Sequence, residues 1–366
     1  MDRPRRHGEI SGAKLQGGCG VDLNDAESYD YHLPEDLIAQ DPCEQRDASR
    51  LMLADRESGI LSHRKFSDLP CILKTGDLLV MNDTRVYKAR LAGRKIPGGA
   101  RVEILCLSGA EDPRVWMALV RPGRRLPPGT MVALENGLAV CVGERLDEGL
   151  RLIRLPDEIS AGDLFESVGL LPLPPYITKS TADEERYQTV YSDPEKKRSA
   201  AAPTAGLHFT ERLLDELSAA GIGHVFITLD VGIGTFRAVK SRNVSAHRMH
   251  GEACAIGPEQ SARINEAKSE GRRVIAVGTT VVRALESFAD GSGRVRPGEM
   301  TTEIFIRPGF GFKVTDALIT NFHLPRSTLL MLVSAFAGYE AAMAAYREAV
   351  GARYRFFSFG DAMIII

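Results

Sequence analysis

Residues 101–155 contain the runs RVEILCL (101–107), VWMALV (115–120), MVALENG (131–137), LAVCVG (138–143) and LRLIRL (150–155), and their spacing decides the fold. Each run tends to alternate apolar and polar residues, and Gly, Pro or Asn separates many of them. A period of two turns one face of a segment to a core and the other to water, which is the pattern of short strands joined by tight turns. With DLLVMND (77–83) taken as the first of the series, the runs form a small antiparallel β module over residues 73–155. A barrel is the expected form, because closure leaves no exposed edge.

On either side the pattern changes. HVFITLDVG (224–232) and RVIAVG (273–278) alternate with helical stretches such as TERLLDELSAAG (210–221) and TTVVRALESFA (279–289). Strands alternating with helices predict an α/β domain with a largely parallel sheet. The β module is therefore an insertion: the α/β domain comprises residues 28–72 and 156–366. YDYHLPEDLIAQDP (29–42) predicts a short helix opening at Pro34 and ending before Pro42. Residues 1–27 are Gly-rich and polar and read as a flexible N-terminal extension or a misplaced start.

The 366 residues are 44% hydrophobic and 26% charged, with a formal charge of −2, an ordinary globular composition that leaves room for a local basic face. The six cysteines (Cys19, Cys43, Cys71, Cys106, Cys141, Cys254) form no CxxC pair, which argues against a zinc ribbon and fits a reducing cytoplasm. TLLMLVSAFAG (328–338), the longest apolar run, is too short to span a bilayer. The expectation is a cytoplasmic monomer with no membrane partner.

Several loops carry chemistry. AAPTAGLHFT (201–210) sets His208 at the end of a small-residue loop, with Thr204 and Thr210 as possible helix caps. LDVGIGTF (229–236) places Asp230, Gly232, Gly234 and Thr235 after a strand, as in a nucleotide-binding loop. Phe236 stands where a third glycine belongs, and RAVKSRNVSAHRMHGE (237–252) lacks the apolar period of a helix. A Rossmann site is thereby disfavoured.

HRMHGE (247–252) groups His247, His250 and Glu252, which suit polar contact or proton transfer better than a metal, because their spacing matches no zinc motif. VIAVGTTVVRALES (274–287) reads as a buried strand, a turn at Gly278 and a helix capped by Thr279 or Thr280. LITNFHLPRSTLLMLVSAFAG (318–338) repeats the scheme with Asn321, His323 and Arg326 before a cap at Ser327 or Thr328. Such loops at the carboxyl ends of parallel strands converge on one crevice. RPGRRLPPG (121–129) and PEKKRSA (194–200) are basic, and Arg121, Arg124 and Arg125 would meet the phosphates of an RNA.

Together YDYHLPEDLIAQDP, MNDTRVYKARL, AAPTAGLHFT, LDVGIGTFRAV, HRMHGE, VGTTVVRALES, TEIFIRPG and LITNFHLPRSTLLMLVSAFAG resemble, in order and over residues 28–366, the S-adenosylmethionine:tRNA ribosyltransferase-isomerase family of queuosine biosynthesis. The resemblance implies a β-barrel set into an α/β domain. It also implies a reaction that moves the ribosyl part of S-adenosylmethionine to a 7-aminomethyl-7-deazaguanine base in tRNA. The ribosyl group is isomerised to an epoxycyclopentane, and adenine and methionine leave. S-adenosylmethionine is then a cosubstrate, and no tightly bound cofactor or metal is expected.

For that chemistry the candidate acids and bases are His208, His247, His250, Glu252 and His323. Asp230, Gly232, Gly234, Thr235, Gly278, Thr279 and Thr280 are the candidates for the cosubstrate. Asn82, Asp83, Arg85, Arg121, Arg124, Arg125, Thr204, Asn321 and Arg326 are those for tRNA and its base. The rivals are a conventional S-adenosylmethionine-dependent tRNA methyltransferase and a non-catalytic RNA-binding protein.

Overall fold

The structure is a computed structural model that describes residues 20–232 and 241–366. Its centre is a nine-stranded mixed sheet. In spatial order the strands are β16 (Gly298–Thr302), β14 (Glu252–Ile256), β13 (Gly223–Leu229), β3 (Leu78–Asn82), β15 (Val274–Val277), β17 (Ala317–Asn321), β18 (Ala362–Ile365), β1 (Arg50–Ala54) and β2 (Leu61–Lys65). The middle strands β13, β3, β15 and β17 are parallel, whereas β18 runs antiparallel to β17. The sheet is thus parallel through its centre, and β1 again runs parallel to β18 before the antiparallel edge strand β2.

Both faces of that centre are covered, so its strands carry apolar residues in both phases. Val80, Ala276, Leu318 and Met363 pack into one core. Leu79, Ile275, Ile319 and Ile364, each one residue out of phase, pack into the other. Short α1 (Leu69–Ile72) and α3 (Glu211–Ala219) cover the second face. Helices α4 (Pro258–Ser269), α5 (Thr279–Phe288), α6 (Thr328–Ala337) and α7 (Tyr339–Gly351) cover the first. Among the described residues no single helix is long and apolar enough to cross a membrane.

The second module is a closed antiparallel barrel. Its strands are β5 (Arg90–Ile96), β6 (Arg101–Gly109), β7 (Val115–Arg121), β10 (Leu150–Arg154), β9 (Ala139–Arg145) and β8 (Thr130–Leu134), and β8 pairs back onto β5. Two-residue β11 (Gly169–Leu170) extends β5, and β4 (Arg85–Val86) pairs with β12 (Lys197–Ser199) at the junction. Helix α2 (Ala161–Val168) plugs Leu164 and Phe165 into the barrel core. An α/β domain with an inserted small β-barrel is what the sequence led one to expect.

Three local expectations need correction. DLLVMND is not the first barrel strand: β3 hydrogen-bonds to β13 and β15 at the centre of the large sheet. The segment after Pro34 is a single 3₁₀ turn, Glu35–Leu37, rather than a helix. Within the supposed extension, Leu23 and Ala26 are buried in the main core, and Asp25 bridges to Asn243.

Candidate active site

Because β3, β13, β15 and β17 are parallel, the segments that leave them reach one edge of the sheet. A crevice opens there. Its walls come from the 202–205 loop, Val231, the Gly278–Thr279–Thr280 turn and residues 320–324. Tyr176, Phe357 and Ser358 close it from outside that set. Among the described residues the lining holds no Asp, Glu, Lys or Arg. Its polarity comes from hydroxyls, one amide and one imidazole, set among Tyr176, Phe322 and Phe357. Such walls suit a ligand bound by stacking and neutral hydrogen bonds.

The turn into α5 is shaped by its glycine. Gly278 caps the helix at φ +100°, a conformation closed to L side chains, and its N–H donates to the Ile319 carbonyl at 2.8 Å. Thr279 and Thr280 are therefore the first helical residues rather than caps, and both face the crevice. Ser327 does cap α6, accepting from the Leu330 N–H at 3.2 Å, and Thr210 caps α3.

Asn321, the last residue of β17, is held on every side. Its amide nitrogen donates to the Phe357 carbonyl at 3.1 Å and to His208 Nε2 at 3.3 Å. Its oxygen accepts from the Thr204 hydroxyl at 3.1 Å. A carbonyl can only accept, so the Phe357 contact fixes which end of the amide is nitrogen. His208 Nε2 must then be an acceptor, and the ring proton sits on Nδ1, 2.7 Å from Ser49 Oγ. Phe357 offers its carbonyl from a left-handed backbone, φ +71°, rare for an aromatic residue.

His208 itself is only 4% exposed, stacks on Phe66 and is absent from the crevice wall. Burial, with Arg355 and Arg46 nearby, pushes its pKa down to about 3. It stands behind Asn321 as a neutral prop, outside the crevice wall, although the sequence makes it a candidate acid or base. His323 does line the crevice. Its backbone N–H donates to Tyr346 Oη at 3.1 Å, and Tyr346 Oη lies 3.0 Å from its Nδ1. The Tyr346 O–H is best placed donating to that Nδ1, which leaves Nε2–H to donate to the Thr320 hydroxyl at 3.3 Å. Burial pushes the His323 pKa down to about 3 as well.

The other candidates divide. Thr204, Asn321, Gly278, Thr279 and Thr280 join the crevice. Glu252 does not: it is buried, ion-paired with the equally buried Arg283, and accepts from the Gly232 N–H at 3.1 Å. Gly232 and Glu252 are thus joined beside the crevice, whose wall takes only Val231 from that loop. Asp230 accepts from the Thr84 hydroxyl at 3.3 Å. His247 packs edge-on to Phe305, and neither it nor His250 reaches the crevice wall. Gly234 and Thr235 lie outside the described residues. Among the described residues no cluster of three His, Cys, Asp or Glu is placed to hold a metal.

Asn82, Asp83 and Arg85 turn inward. The Asn82 amide both donates to and accepts from the Leu229 backbone, at 2.9 and 3.0 Å, tying β3 to β13. Asp83 accepts from Thr228 at 2.8 Å and Lys196 at 2.5 Å, and Arg85 bonds Ser192 and Glu185. Arg326 is exposed and pinned to Glu27 at 2.9 Å. Arg121, Arg124 and Arg125 are exposed on the barrel. Sequence reasoning missed Ser49, Tyr176, Tyr346, Phe357 and Ser358. The aromatic run RFFSFG (355–360) is the one signal that pointed toward two of them.

Fold and crevice define an α/β protein with an inserted barrel and a ligand site at the carboxyl edge of its parallel strands. Residues 26–365 match the family described as queuosine biosynthesis protein, and the chain belongs to that family. It is 54% identical over 342 residues to the S-adenosylmethionine:tRNA ribosyltransferase-isomerase of Heliobacterium modesticaldum, covering 92% of this chain and 98% of that one. It is 53% identical to the enzyme of that name from Symbiobacterium thermophilum, with the same coverage. It is also similar to the crystal structure of S-adenosylmethionine tRNA ribosyltransferase from Thermotoga maritima, at 38% identity. That match covers 93% of this chain and 100% of that one, with a TM-score of 0.53.

Proposed function

We propose that the chain transfers the ribosyl moiety of S-adenosylmethionine to the aminomethyl group of a 7-deazaguanine base in tRNA and isomerises it, giving epoxyqueuosine. Adenine and methionine leave. Family membership carries the reaction class, and the crevice, aromatic-lined and uncharged among the described residues, supports its location. A sulfonium cosubstrate brings its own positive charge, and none of the described residues of the wall carries a cation to repel it. Aromatic faces stabilise such a cation and stack on adenine. S-adenosylmethionine is used as cosubstrate, no tightly bound cofactor is needed, and the protein acts in the cytoplasm as a monomer.

The sulfonium acidifies the ribose C5′ hydrogens, adenine departure needs a hydrogen bond or proton at its ring, and the attacking amine must be neutral. Thr279, Thr280 and Thr204 hold the cosubstrate. Asn321, set by His208, orients it. His323, neutral at pH 7, offers Nε2–H in place of its long bond to Thr320 and supports the departing adenine. Arg121, Arg124 and Arg125 meet tRNA phosphates.

The test is incubation with S-adenosylmethionine and tRNA bearing the aminomethyl-deazaguanine base. Equal release of adenine and methionine is expected. S-adenosylhomocysteine in their place would make the chain a methyltransferase. Binding of tRNA with no product of either kind would make it a non-catalytic RNA-binding protein.

A further inference from the structure

On the outer face of the barrel two arginines oppose one another. Arg94 of β5 and Arg101 of β6 are direct cross-strand partners, and both are exposed. Like charges directly opposite on a sheet destabilise it. Arg94 relieves this only by donating to the Gly99 carbonyl at 3.1 Å. Neither makes an ion pair with a carboxylate among the described residues, and the same holds for Arg121, Arg124 and Arg125. Glu103, directly across from Arg121, turns instead to Arg90 at 3.0 Å.

Next to this pair the sheet presents the opposite anomaly. Ile96 of β5 faces Met131 of β8 across the seam that closes the barrel, and the two are 49% and 38% exposed. They are two of the few large apolar side chains so exposed among the described residues. The adjoining turn Gly123–Arg125 carries more cations, and its backbone is fixed from beneath. Buried Arg151 donates to the Gly123 carbonyl at 2.8 Å, and Lys95 reaches the Arg125 carbonyl at 3.4 Å. A pinned backbone turns Arg124 and Arg125 outward from a defined position.

We infer that the β5–β6–β8 face, centred on Arg94, Arg101, Ile96 and Met131, is an RNA-docking surface, with phosphates on the arginines and a base or sugar on the apolar pair. The inference rests on the tRNA reading above and adds the surface that holds the RNA outside the crevice. Charge complementarity selects the occupant. An unneutralised, like-charged pair calls for a polyanion, and an apolar centre among the arginines fits the flat face of a nucleobase. The β6–β7 arginine, Arg121, and the turn extend the same stripe.

The experiment measures affinity for the aminomethyl-deazaguanine tRNA against salt concentration, for the wild-type chain and for Arg94→Ala/Arg101→Ala. Each lost phosphate contact should lower the log–log salt slope by about 0.7–0.9, so the double variant should lose roughly 1.4–1.8 of slope. Affinity near 0.1 M salt should fall about tenfold or more. Its melting temperature should stay level or rise, because a repulsion has been removed. Arg94→Lys/Arg101→Lys should restore the slope. Ile96→Ser should weaken binding without changing the slope.

Unchanged affinity and slope in the alanine pair would overturn the inference. So would a lowered melting temperature that the lysine pair repairs without restoring tRNA affinity. Absence of adenine release by a wild-type chain that binds tRNA would instead overturn the proposed reaction and leave the surface standing.

Discussion

His208 Nε2 accepts a hydrogen bond from Asn321 at 3.3 Å, while its Nδ1 meets Ser49 at 2.7 Å, so a buried imidazole sets the orientation of an amide in the crevice wall. The imidazole is not itself part of the crevice wall. It acts through Asn321.

Replacing His208 by Ala should therefore remove one of the three bonds that hold Asn321 and lower turnover about tenfold to a hundredfold. Ser49→Ala should reproduce part of that loss, since the tautomer is no longer held. The pH profile separates this from proton transfer. With a pKa of about 3, His208 should give no inflection in turnover between pH 5 and 9. An inflection near neutrality that vanishes in the Ala variant would restore His208 as the base.

Both buried histidines should couple stability to pH. Their folded pKa values, about 3, lie below the ordinary 6.5, so between those limits the unfolded chain binds protons that the folded chain does not. Stability should be complete above pH ~6.5 and fall as pH drops toward 3, by about 1 kcal/mol per pH unit for each histidine. Thermal melts of the wild type and of His208→Gln/His323→Gln, from pH 7.5 to 4.5, check this. Parallel curves would refute it.

Gly278 has room around it, for a Cβ would meet nothing nearer than Thr280 Oγ1 at 3.5 Å. The obstacle is conformational, at φ +100°. Gly278→Ala should cost roughly 1–3 kcal/mol in backbone strain or shift the start of α5. Calorimetry should then show weakened S-adenosylmethionine binding, and unaltered binding would take that turn out of the site.

Glu252 and Arg283 form a buried ion pair that also receives the Gly232 N–H. Glu252→Gln should destabilise the fold by about 3–5 kcal/mol, because Arg283 is left charged and unpaired in the interior. Glu252→Gln/Arg283→Met should recover much of it. If the single variant melts like wild type but cannot turn over, Glu252 is chemical rather than structural.

The convergence of loops was legible because its signal is local: apolar strands followed at once by Gly, Thr or Asn at 278–280 and 320–321. The barrel was legible from alternation, and β3 was misassigned for a related reason. All of Leu78–Asn82 is buried, so its register with the large sheet leaves no polar phase to read. A histidine in a small-residue loop does not disclose which side of the loop it faces, and His208 faces the core. Asn82, Asp83 and Glu252 look like site residues because polar groups buried at strand ends must find partners, and theirs are backbone, hydroxyl and cationic groups of the protein. Phe357, Ser358 and Tyr176 enter the crevice from segments without strand or helix periodicity, where pattern gives no guide.

The placement of β18 has a consequence for how the chain is made. Ala362–Ile365 is inserted between β17 and β1, and it is the strand through which β1 and β2 join the rest of the sheet. During synthesis the β1–β2 hairpin leaves the ribosome nearly 300 residues before the strand that docks it. The barrel, whose strands are contiguous in sequence, can close while synthesis continues. The hairpin must wait, with Leu51 and Met52 uncovered, for whatever chaperone holds apolar segments. A ribosome stalled before Ala362 would carry a finished barrel on an unfinished sheet.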